Sequence, residues 1–89
     1  MNNEFSRNDQ IEAAPLNEEA ILFNPVSTNF FMLNQTSSFI WDNLPTARTV
    51  EALADRICAH FAQVTREVAL RDVQIALDQM LQKQIVVIG

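Results

Sequence analysis

The sequence predicts an α+β domain: a small three-stranded antiparallel sheet followed by three helices. Three observations lead there. Residues 11–33 hold short apolar runs punctuated by Asn and Pro. Residues 34–83 carry apolar positions at helical spacing behind Asn and Thr caps. The chain has 89 residues, 48% of them hydrophobic, which suffices for one core and no more.

Taken in order, residues 1–9 are polar and without period, and read as a flexible N-terminal tail ahead of a single domain over 10–89. "IEAAPL" is a weak strand ended by Pro15, and "NEE" is turn material. "AILFN", Ala20 to Asn24, is a stronger strand, stopped by Asn24-Pro25 because proline cannot donate to a ladder. "NFFML", Asn29 to Leu33, is the third. The only glycine is Gly89, so the turns rest on Asn and Pro. Asn17, Asn24 and Asn29 are the residues expected to take left-handed backbone.

The first helix is capped by Asn34 or Thr36, carries Ser37, Ile40, Trp41 and Leu44 at i, i+3, i+4, i+7, and stops at Pro45. Thr49 caps the second, with Glu51 in the first turn where the helix dipole favours an acid. Its apolar stripe is Val50, Leu53, Ala54, Ile57, Cys58 and Phe61. The third runs from about Arg66 to Lys83, with Ala69, Val73, Ala76, Leu77, Met80 and Leu81 on one face. "IVVI", Ile85 to Ile88, is a terminal strand or wing.

Charge and composition narrow the function. The net charge is −5, from six basic and eleven acidic residues. Phosphate backbones require clustered Lys and Arg, which argues against nucleic acid as a partner. No apolar run approaches the roughly 18 residues that span a bilayer, and the N-terminus lacks the apolar core of a secretion signal. One cysteine, Cys58, excludes an internal disulfide and suits a reducing compartment. The cytoplasm is therefore the expected location.

Catalytic groupings are not legible. A chain without internal glycine has no Gly-rich phosphate loop. Cys58 and His60 are two apart, about 200° around a helix, so they do not share a ligand position, and zinc needs three or four ligands. Ser37 and Ser38 open a helix, where hydroxyls cap or pack. The expectation is a binding module with no catalytic, metal or cofactor residues.

What remains is a surplus of apolar side chains. Along "NFFML", Phe31 and Leu33 share one face, and Phe30 and Met32 share the other. A sheet covered on one side does not need both. On the third helix, Ile75 lies about 200° from Val73 and belongs to a second stripe with Asp72, Ala76, Gln79 and Lys83.

In order, the segments "ILFNP", "FFMLN", "SSFIWDNL", "ARTVEALADRI" and "TREVALRDVQIALDQML" resemble the PqqD-like family, the recognition elements for ribosomally made, modified (RiPP) peptides. The register holds from about Ile11 to Val87. The chain departs from the family at three turns where glycine is usual: the turn between the second and third strands, "PTA" at Pro45–Ala47, and Gln84 after the last helix.

The resemblance implies a winged helix-turn-helix-like fold. It also implies a role without catalysis: holding the leader of a precursor peptide and presenting the core to a modifying enzyme such as a radical SAM enzyme, a cyclase or a protease, in RiPP or PQQ-like biosynthesis. The leader would add as a strand to Asn29, Phe30, Phe31, Met32 and Leu33 and lie against Asp72, Ile75, Ala76, Gln79 and Lys83. Two other classes fit the same topology. A winged-helix DNA binder would need a basic third helix, and here Arg66, Arg71 and Lys83 are offset by Glu67, Asp72 and Asp78. A dimerising scaffold would use the apolar strand for a homodimer.

Overall fold

The computed structural model describes residues 3–16 and 19–89. The elements run β1 (Phe5–Arg7), β2 (Glu12–Leu16), β3 (Glu19–Asn24), β4 (Asn29–Leu33), α1 (Gln35–Asn43), α2 (Val50–His60), α3 (Arg66–Gln82) and β5 (Val86–Ile88). Strands β2, β3 and β4 form an antiparallel sheet in that order, with Leu22 opposite Phe31 and Phe23 opposite Phe30. β2 continues through Pro15 rather than ending there. It is an outer strand, where a residue without an N–H is tolerated.

Period-2 alternation divides the sheet. Leu22, Phe31 and Leu33 point inward and are buried against Ile40, Trp41 and Leu44 of the α1 segment, with Leu53, Ile57, Val73, Leu77 and Met80 behind them. Full burial of each such aliphatic side chain is worth about 1.5–3 kcal/mol, so this face carries the stability of the domain. The opposite face keeps Phe30 and Met32 at 62% exposure each. Helices cover the sheet on one side only.

The helices begin where side-chain oxygens replace missing backbone acceptors. Asn34, not Thr36, caps α1: its Oδ1 accepts from the Ser37 N–H, and its own N–H donates to Ser37 Oγ, both at 2.8 Å. Thr49 and Thr65 cap α2 and α3 by accepting from the Ala52 and Val68 N–H groups.

Two further expectations are corrected. Within the segment expected to be a tail, Phe5–Arg7 pair antiparallel with β5 and the Phe5 side chain joins the core. The Arg7 guanidinium donates to the Trp41 carbonyl (Nε to O 3.0 Å) and lies 4.5 Å above the Trp41 ring. A three-residue strand is too short to show a period, and its single aromatic was outweighed by polar neighbours. The left-handed residues are Thr28 (φ 59°) and Gln84 (φ 60°), not Asn24 or Asn29, while Asn17 lies outside the described residues. Both fall at turns where the resemblance expects glycine. Asn24 and Asn29 instead close the β3–β4 ladder as an extended pair.

Candidate functional site

Among the described residues, β4 has β3 on one side and no strand on the other. The Phe30 carbonyl accepts from Lys83 Nζ at 3.3 Å, which places the Phe30 backbone groups on the open edge. By the alternation of an antiparallel ladder, those of Met32 lie there too, whereas Asn29, Phe31 and Leu33 bond toward β3. Unpaired N–H and C=O groups on such an edge are a template for a further strand.

Beside this edge runs a cleft of about 320 Å³, lined by Phe31, Met32, Asn34, Thr36, Ser37, Asp72, Ile75, Ala76 and Gln79. β4 supplies one wall and α3 the other. The Asn34–Ser37 capping box closes one end, and Lys83 bridges to Phe30 near the other. Asn29 adds a weak tie, its Nδ2 lying 3.5 Å from the Lys83 carbonyl.

Six residues singled out in the sequence line the cleft together: Phe31, Met32, Asp72, Ile75, Ala76 and Gln79. Ile75 is 50% exposed while Val73 is fully buried, so the two helical stripes separate as their phases require. Asn29, Phe30 and Lys83 stand at the cleft's open end. Leu33 does not contribute a side chain, because it is packed in the core. Asn34, Thr36 and Ser37, which the sequence marks as capping or packing residues at the start of the first helix, line the cleft as well. The signal for them was the absence of any loop between β4 and α1, which forces the first turn of α1 to the end of the strand.

Electrostatically the cleft is two-ended. Asp72 lies among the cleft residues, eleven positions before Lys83 at the C-cap of α3, and among the described residues neither forms an ion pair. Arg66, at the start of α3, is paired with Asp55. Away from the cleft, exposed His60 stacks on Phe39 with centroids 4.8 Å apart, and Cys58 is half-buried. No cluster of His, Cys, Asp or Glu among the described residues could hold a metal ion. Nor is any helix among them long and apolar enough to cross a membrane.

A small α+β domain with an open strand edge walled by a helix is the class of fold that these elements define. The chain belongs to the PqqD family: the family model described as coenzyme PQQ synthesis protein D matches residues 19–86. Two solved structures share the fold. One is TbiB1 in complex with the TbiA(beta) leader peptide, 26% identical, with a TM-score of 0.80 over 91% of this chain and 93% of that one. The other is a lasso peptide synthetase B1 complexed with its leader peptide, 20% identical, with a TM-score of 0.81 over 94% and 98%. No curated protein matches the chain.

Proposed function

We propose that this domain binds the leader segment of a ribosomally synthesised precursor peptide and presents the remainder to a modifying enzyme. The leader adds as a strand to the open edge of β4, satisfying the Phe30 and Met32 backbone groups. Its alternate side chains then divide. One set enters the cleft over Ser37, Ile75 and Ala76, and the other set continues the outer apolar face beside Phe30 and Met32.

The observation that carries this reading is the coincidence of an unpaired edge with an apolar residue, Ile75, that the fold leaves half exposed beside it. The leader complexes of the two related structures support it. The residues do the binding without a chemical step, so the role is one of capture and orientation.

A titration by calorimetry tests it. A candidate precursor peptide should bind through its leader alone, and its core segment alone should give no heat. Binding confined to the core segment contradicts the reading.

A further inference from the structure

We propose that Lys83 is a latch over the β4 edge that selects a peptide carrying a carboxylate at the position beside Phe30. This rests on the strand-addition reading above and adds a specificity residue to it. The Lys83 ammonium now occupies the Phe30 carbonyl at 3.3 Å. A strand entering this edge brings a backbone N–H to that same oxygen, where it competes with the ammonium for the carbonyl's outward-facing lone pair.

Both described ion pairs, Arg48 with Glu4 and Arg66 with Asp55, use other residues, and Lys83 has no carboxylate partner among the described residues. The lysine is tethered at the C-cap of α3, whose carbonyl lies near Asn29, so its reach is confined to the Phe30 end of the edge. An acidic side chain on the incoming strand restores the lost interaction as an ion pair. A neutral one leaves the ammonium to water, and a basic one meets it as a like charge.

The same latch explains how a long apolar edge avoids self-pairing. Lys83 is not on β4, but its charge lies over the β4 edge, and a charge at an edge discourages pairing with a second copy of that strand. Phe30 and Met32, each 62% exposed, make that protection necessary. A peptide with a carboxylate in register removes the obstacle, whereas a second β4, with the sequence Asn-Phe-Phe-Met-Leu, offers none.

Selection of a displayed library of random 12-residue peptides on the intact protein tests this, with amide shifts at Phe30 and Met32 used to retain only edge binders. The parent should enrich Asp or Glu at one position, and changing that residue to its amide should weaken binding about fivefold, the equivalent of about 1 kcal/mol for an exposed pair. Lys83→Met should lose that preference, and Lys83→Glu should invert it to Lys or Arg. Edge binders with no charge preference, or a preference untouched by Lys83→Glu, overturn the latch while leaving strand addition standing. Enriched peptides that never shift Phe30 or Met32 overturn strand addition, and the latch with it.

Discussion

Asn24 Nδ2 donates to the Gln84 carbonyl at 3.2 Å, joining the end of β3 to the turn that follows α3. The same buried side chain accepts from the Val26 and Ser27 N–H groups through Oδ1. One amide thus holds the β3–β4 turn and sets where α3 ends, which together fix the open end of the cleft. Asn24→Ala should cost about 2–3 kcal/mol by chemical denaturation, because buried backbone groups lose their partners. Asn24→Leu should fare no better, since its bulk fills space without replacing a donor or acceptor. A loss under about 0.5 kcal/mol would show that the turn holds itself.

Thr28 and Gln84 sit at φ near 60°, where a side chain costs about 1–2 kcal/mol and glycine costs little. Gln84 contributes its backbone carbonyl to the bonds from Asn8 and Asn24, and its side chain is exposed. Gln84→Gly should therefore raise stability by about 0.5–1 kcal/mol, the strain relieved less the extra freedom of the unfolded chain. Thr28→Gly should gain a similar amount. Thermal unfolding of each variant, with a rise of a few degrees expected, checks both.

Trp41 is buried on α1 under the Arg7 guanidinium. Trp41→Ala should cost on the order of 3–5 kcal/mol. Deleting residues 1–9 removes the Phe5 side chain and the β1–β5 pairing, and should destabilise by a comparable amount. A shortened chain that melts within a few degrees of the parent would return these residues to the role of a tail.

Ile75 and Val73 separate binding from packing. Ile75→Asp should leave the melting temperature nearly unchanged and weaken leader binding by at least ~1.5 kcal/mol, since a carboxylate would be desolvated without a partner. Val73→Asp should unfold the domain, because Val73 is fully buried. Melting curves and leader titrations on the two variants check both halves of the contrast.

Much of this is legible in the sequence. The period of "NFFML" separated Phe31 and Leu33 from Phe30 and Met32, and the helical phase separated Val73 from Ile75. Those are local geometric rules that tertiary contacts did not override. β1 was not legible, because Phe5 acquires its partners in β5, more than 80 residues away. The left-handed turns were missed for a different reason. Asparagine propensity pointed to Asn24, but the buried Asn24 side chain serves as a hydrogen-bonding hub, and the strain falls on Thr28 and Gln84. The cleft's dependence on Asn34, Thr36 and Ser37 follows from how tightly α1 follows β4, a relation between elements and not within one.

Strand addition to β4 is the central claim, and amide hydrogen exchange measures it most directly. The Met32 N–H lies on the open edge and should exchange readily in the free protein. With leader present at about a hundred times its Kd, exchange at Met32 should slow by about a hundredfold, while amides of β2 change little. Leader binding that leaves Met32 and Phe30 exchanging at their free rates contradicts strand addition and moves the site off the β4 edge.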